Sequence, residues 1–129
     1  MSGSSIYVQR ADCRRHDTPI ALVVIEADQL TPDERTALAL LTSRVPTAPL
    51  SSPKQGGLAR LCQEHGCALD RTAVIATTPQ GLPLLLEASV SLTLRGAGYE
   101  NEAAADMVFK PRSSGGLAAA IEYACRLVA

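Results

Sequence analysis

The chain is poor in aromatic residues and has no excess of basic charge, and both shortages exclude classes of function. Among 129 residues there is no Trp, one Phe and three Tyr. Single-stranded nucleic acid is commonly bound by stacking bases on aromatic rings, so a platform of that kind is not expected. The 12 Lys and Arg are balanced by 13 Asp and Glu, which gives a net charge of −1. A broad basic surface for nucleic acid is therefore not expected either.

A membrane-spanning run is also missing from the sequence. The longest apolar-rich run, residues 82–94, is shorter than the roughly 20 residues that a spanning helix needs. That run also contains Glu87 and three hydroxyl residues. The first ten residues, MSGSSIYVQR, carry no hydrophobic region of a signal peptide. We therefore expect a cytoplasmic protein that has no membrane partner.

Cysteine is present but scattered, and histidine is scarce. The two histidines stand in the groups Cys13-x-x-His16 and Cys62-x-x-His65-x-Cys67, and Cys125 stands alone. A chain of this size folds without disulfides, so free thiols are expected. Zinc would need four such ligands to converge, and Cys62 already falls on the apolar face of a predicted helix. Buried structural thiols are the preferred interpretation, and no metal site is predicted.

What the sequence does contain is an alternation of apolar strands and helices. Ile20–Ile25 is a continuous apolar run rich in β-branched residues, which is typical of a strand buried on both faces. Four further strands are predicted at residues 45–50, 73–76, 89–94 and 107–109. Helices are predicted to begin at Thr31 and Ser51 and to cover residues 82–87 and 117–128.

This order predicts an α/β fold, a Rossmann-like three-layer sandwich with about five mostly parallel strands. The predicted domain covers residues 20–129. Residues 1–19 are polar and are predicted to be a flexible N-terminal arm, in which residues 6–8 form a short edge strand. Glu26 and Asp28 follow the first buried strand, at the carboxyl edge where open α/β sheets bind ligands.

One stretch of the chain resembles a known family. The run 76–85, ATTPQGLPLL, is similar to the pattern G-D-x-x-N-D-x-P-x-L of haloacid-dehalogenase-like phosphohydrolases. The similarity continues without a gap through Ala88-Ser89-Val90 and Ala104-Ala105-Asp106-Met107-Val108. Within the family, the chain most resembles the phosphorylation domain of P-type ATPases and the small sugar-phosphate phosphatases.

The resemblance implies positions for the family's active-site residues. Glu26 would stand at the nucleophile, Asp28 at the acid–base group and Lys54 at the active-site lysine. Three residues, Thr42, Thr47 and Ser51, are candidates for the family's Ser/Thr motif, and Thr42 is also expected among the ligand contacts. Ligand contacts are further expected at Thr77, Thr78 and Gln80.

The departures from the family pattern weaken its chemistry. The family needs an Asp nucleophile, a second Asp for the leaving-group proton and later acids that hold Mg²⁺. Here Thr77 and Gly81 replace those later acids. Glu26 is one methylene longer than the nucleophile that it replaces, in a reaction that needs in-line geometry.

The sequence therefore predicts a haloacid-dehalogenase-like domain that has lost phosphohydrolase activity and acts as a binding, regulatory or assembly module. No cofactor is expected. The first alternative is a phosphomonoesterase with an altered site, which would use Mg²⁺. The second is a receiver-like domain without its phosphoacceptor Asp, since Val108-Phe109-Lys110-Pro111 resembles the end of a receiver. A homo-oligomer or a protein partner is expected, with the apolar helix 82–86 as the candidate contact.

Overall fold

The computed structural model of the chain describes residues 6–9, 20–27, 29–50 and 57–128. Six strands within these ranges form one sheet: β1 Ile6–Gln9, β2 Leu22–Glu26, β3 Thr47–Leu50, β4 Thr72–Ala76, β5 Val90–Leu94 and β6 Met107–Phe109. The same residues form five α-helices: α1 Pro32–Thr42, α2 Gly57–His65, α3 Leu82–Glu87, α4 Tyr99–Ala104 and α5 Gly116–Leu127. The predicted α/β class is confirmed.

The strand order across the sheet is β1-β6-β5-β4-β2-β3. The five strands from β2 to β6 are parallel, as predicted, and β1 pairs antiparallel with β6 at the edge. The predicted edge strand near the N-terminus is thus present. The division into a flexible arm and a domain stays a prediction, because residues 1–5 and 10–19 lie outside the described ranges.

Successive side chains of the central strands point to opposite faces of the sheet, which divides the core into two layers. Side chains such as Val23, Ile25 and Ile75 face α1 and α5. Their neighbours, such as Val24 and Val74, face α2 and α3. β2 and β4 are buried along their whole length, which explains why their sequences are continuously apolar rather than alternating. The result is the predicted three-layer sandwich.

The helix boundaries follow from local chemistry. Thr31 caps α1 through a capping box, in which its hydroxyl accepts from the Glu34 N–H and the Glu34 carboxylate accepts from the Thr31 N–H. α3 begins at Leu82 and ends at Glu87, as predicted. The helix predicted from Ser51 is described only from Gly57 onward. α4 was not predicted, because Gly96 and Gly98 favour a loop there and the helical segment is only six residues long.

A buried ion pair connects α1 to the segment after β6. The Arg112 guanidinium donates to both carboxylate oxygens of Glu34, at 2.9 and 3.1 Å, and Glu34 is 3% exposed. Burial alone would raise the pKa of the Glu34 carboxyl. Arg112 and the hydrogen bonds from Thr31 outweigh burial, so this pKa lies below the ordinary value of a glutamate.

Among the described residues, no helix has both the length and the apolar character that a membrane-spanning segment requires.

Replacing Arg112 with Met is expected to lower the free energy of unfolding by about 2 kcal/mol at neutral pH, because Glu34 then keeps a buried charge without its cation. The folded-state pKa of Glu34 is lowered, so this stabilisation is present above the unfolded-state pKa and is lost as the pH falls through the folded-state pKa. The wild-type and variant urea-unfolding curves should therefore converge in acid.

The matched control is Arg60→Met, which removes the exposed Arg60–Glu64 pair on α2. Exposed pairs of this kind contribute little, so the control should change stability by less than about 0.5 kcal/mol. An Arg112→Met protein that is as stable as wild type at neutral pH would contradict the prediction.

Candidate functional site

The candidate site lies at the carboxyl ends of β2 and β4. From β2 the chain proceeds outward to β3, and it then crosses to β4 on the other side of β2. The last residues of the two central strands, Glu26 and Ala76, are register partners. The strand order therefore reverses direction at this point, and parallel α/β sheets place their ligand crevice at such a switch point.

Glu26 is the buried anion of this edge. Its side chain is fully buried, with 0% of its surface exposed. Oε1 accepts from the backbone N–H groups of Thr77 and Thr78, at 2.9 and 3.0 Å. Oε2 accepts from the Thr78 hydroxyl at 2.6 Å. A buried carboxylate needs such donors, and these charge-assisted bonds hold it against the end of β4.

The loop after β4 is fixed by further hydrogen bonds. The Thr77 hydroxyl donates to the Glu26 carbonyl oxygen at 2.8 Å, and the Thr77 N–H also reaches that oxygen at 3.1 Å. From α4, the Asn101 amide donates to the Thr78 carbonyl oxygen at 2.7 Å. The Thr93 hydroxyl of β5 donates to the carbonyl of Ala76. The loop that binds the Glu26 carboxylate is thus held by β2 and α4, and β5 holds the last residue of β4, from which the loop begins.

Gly81 closes the space beside Glu26. A Cβ atom built on Gly81 would lie 2.6 Å from the Ala76 Cβ and 2.9 Å from the Glu26 Oε1. Both distances are below those of ordinary contacts, so a residue with a side chain cannot stand here without displacing its neighbours. The longer side chain of Glu26 and the absence of a side chain at Gly81 therefore fit each other.

The structure brings only some of the predicted site residues together. Glu26, Thr77 and Thr78 form one hydrogen-bonded cluster, and Gln80 lies exposed in the short 3₁₀ turn that follows. Thr42 does not lie in this cluster. It ends α1, and its hydroxyl lies 3.0 Å from that of Thr47, at the start of β3 and therefore at the opposite edge of the sheet.

Two predicted positions cannot be located. Asp28 and Lys54 lie outside the described residues, so their proposed roles stay predictions. Sequence reasoning also missed Asn101, which is 1% exposed and supports Thr78 from α4. A polar residue within an unpredicted helix offers no sequence signal of that role.

The described residues do not fit a Mg²⁺ site of the kind that the family resemblance implies. Mg²⁺ is usually held by carboxylate oxygens together with waters. Glu26 is the one carboxylate in the cluster, and it already accepts three hydrogen bonds. Thr77 and Gly81 supply no carboxylate, and position 81 has no room for one. Within the described ranges, no group of three or more His, Cys, Asp or Glu could hold a metal.

The architecture matches solved structures of haloacid-dehalogenase-like hydrolases, so the chain has that fold. One is the cobalt-bound deoxy-D-mannose-octulosonate 8-phosphate phosphatase YrbI from Haemophilus influenzae. It matches with a TM-score of 0.64 and 13% identity, over 84% of this chain and 90% of that one. The fold that the sequence resemblance implied is confirmed.

A second match is a putative HAD family hydrolase from Streptomyces avermitilis, with a TM-score of 0.50 and 17% identity. The match covers 83% of this chain but only 61% of that protein. No family model and no curated protein sequence matches the chain. At these identities the likeness concerns the fold, and the site has to be judged from its own residues.

Replacing Gly81 with Ala tests the close approach at the site. The new methyl group would overlap with Ala76 and with the Glu26 carboxylate, so we expect the free energy of unfolding to fall by about 1–3 kcal/mol. Gly57→Ala is the matched control, because no atom lies within 4 Å of its added Cβ and its φ is not positive. Thermal and urea unfolding measure both variants. Equal stabilities of the two would show that the site is loosely packed.

Proposed function

We propose that this chain is a haloacid-dehalogenase-like module that does not hydrolyse phosphate esters and acts by binding, in regulation or in assembly. The observation that carries this proposal is that the Glu26 carboxylate is buried and hydrogen-bonded to its own chain. Both of its oxygens accept hydrogen bonds from the loop after β4, and the side chain is fully buried. Hydrolysis by the family's route would require this position to present a free oxygen to phosphorus.

The energetic cost of freeing Glu26 supports the same proposal. Hydrogen bonds to charged groups contribute about 1.5–3 kcal/mol each, and three of them would have to be broken in a buried place. The displaced donors, two backbone N–H groups and the Thr78 hydroxyl, would then need other partners. A catalytic carboxylate is normally pre-positioned toward the substrate, whereas Glu26 is positioned toward its own chain.

Phosphate release from a panel of phosphomonoesters in the presence of Mg²⁺ tests the proposal. We expect no turnover that depends on Glu26 or Asp28, so wild type, Glu26→Ala and Asp28→Ala should give the same background. Asp33→Ala, which removes an exposed acid from the first turn of α1, is the control for nonspecific effects. Robust turnover that Glu26→Ala or Asp28→Ala abolishes and Asp33→Ala retains would establish the alternative, an altered Mg²⁺-dependent phosphomonoesterase.

A receiver-like domain without its acceptor would give the same negative assay. Its third parallel strand would need an Asp where this chain has Thr77. The five parallel strands lie in the order β3-β2-β4-β5-β6. Counted from β2 as the first, this is the order 2-1-3-4-5 that receivers share, so topology alone does not separate the two interpretations. The match to solved haloacid-dehalogenase-like structures favours the first one.

We further propose that the module binds its partner, a second copy or another protein, through α3 and α4. The two helices contact each other and flank the candidate site. Leu84 and Leu85 of the helix predicted as a contact belong to the core, but Leu86 is 68% exposed. Tyr99, at the start of α4, is 87% exposed. Exposed large apolar side chains on adjoining helices are typical of an interaction surface.

Sedimentation of the purified chain tests the homo-oligomer form of this proposal. We expect an oligomer that Leu86→Ser and Tyr99→Ser, singly or together, shift toward the monomer. Leu40→Ser is the matched control, since Leu40 is similarly exposed, at 62%, but lies on α1 in the opposite helix layer. An oligomer that stays intact in Leu86→Ser, in Tyr99→Ser and in the double variant would exclude α3 and α4 as the contact. A wild-type monomer would leave only a different protein as the partner.

A further inference from the structure

The two cysteines of the motif Cys62-x-x-His65-x-Cys67 are brought together by the way α2 ends. The Cys67 N–H donates to the Cys62 carbonyl oxygen at 3.0 Å, and the Gly66 N–H donates to that of Gln63 at 3.3 Å. Gly66 has a φ of +65°, in the left-handed region that glycine favours. These are the features of a Schellman motif, in which the residues at the positions of Cys62 and Cys67 face each other.

Cys67 packs against the core cluster that contains Cys62. A disulfide needs Cα atoms about 4.4–6.8 Å apart. The backbone hydrogen bond from the Cys67 N–H to the Cys62 carbonyl oxygen keeps the two residues adjacent across the turn. His65, the other soft ligand of the motif, is exposed, and it forms no metal-ligand group with the two thiols.

We propose that Cys62 and Cys67 form a reversible disulfide site that low-molecular-weight disulfides oxidise through Cys67. Both sulfurs are free thiols in the structure. Cys67 is half-buried and can be reached from solvent, whereas Cys62 lies in the core against Leu58 and Val74. The more accessible thiol therefore reacts first, and the buried one completes the bond.

The chemistry proceeds by two thiol–disulfide exchanges. The Cys67 thiolate attacks one sulfur of an oxidant R–S–S–R, which forms a mixed disulfide and releases RS⁻. The Cys62 sulfur then attacks the Cys67 sulfur, closes the internal disulfide and releases a second RS⁻. The two protons lost by the cysteines appear on two molecules of RSH. The protein thus loses two electrons, which the oxidant gains.

The environment of Cys62 favours this order of events. Burial raises the pKa of the Cys62 thiol to about 11, and the neighbouring Cys67 and the Glu87 carboxylate add to the rise. Cys62 is therefore a poor first nucleophile at neutral pH. The turn that the Cys67 N–H closes onto the Cys62 carbonyl holds the two residues next to each other, so the second exchange is an intramolecular reaction.

The experiment uses the full chain with Cys13→Ser and Cys125→Ser, so that only the proposed pair remains. After incubation with oxidised glutathione, intact-mass and peptide-mapping analysis should find a 62–67 disulfide, no bound glutathione and the loss of both titratable thiols. Reduction with dithiothreitol should restore both thiols. A stable glutathione adduct on Cys67, two thiols that stay titratable, or a disulfide between two chains would overturn the proposal.

Single variants in the same background separate the roles of the two thiols. Without Cys62, in Cys62→Ala, Cys67 should retain one glutathione. Without Cys67, in Cys67→Ser, Cys62 should stay unmodified under the same conditions. If Cys62 in Cys67→Ser acquires glutathione as fast as Cys67 does in Cys62→Ala, the assigned order is contradicted. Because Cys62 is buried, Cys62→Ala could lower stability, and the mapping of the Cys13→Ser, Cys125→Ser protein decides the proposal without that variant.

Discussion

A single buried carboxylate at the junction of the two central strands constrains this end of the molecule. Glu26 ends β2 with no exposure to solvent, so its charge requires donors from the protein itself. Those donors are two backbone N–H groups and a hydroxyl of the loop after β4. The path of that loop is therefore tied to the charge on the neighbouring strand.

The surrounding residues are adjusted to this one interaction. Gly81, which stands at one of the family's acidic positions, leaves room for the Glu26 carboxylate. Thr77, which stands at the other, donates to Glu26 instead, and Thr78 adds a further hydroxyl donor. A carboxylate at position 77 would place like charges side by side, where the present residues form hydrogen bonds. The substitutions that appear in the sequence as separate losses from a family pattern are, in three dimensions, one compatible set.

A second set of contacts fixes the loops around the same edge. Arg112, which follows β6, binds the buried Glu34 of α1 and the carbonyl oxygen of Gln29 in the loop after β2. Asn101 holds the loop after β4 from the side of α4. Both connections join segments that are distant in sequence. The carboxyl edge is thus a rigid surface of defined shape, which suits recognition as well as it would suit catalysis.

The sequence by itself determined the α/β class, the strands β2, β4 and β6, and the boundaries of α3. Those elements depend on local apolar patterns and on caps such as Thr31, which act over a few residues. Only the tertiary structure decided that Thr42 lies at the opposite edge from Glu26. It also decided that Glu26 bonds to Thr77 and Thr78, and that Cys62 meets Cys67. Such contacts depend on strand order and on chain reversals, and a linear pattern of residues encodes neither of these directly.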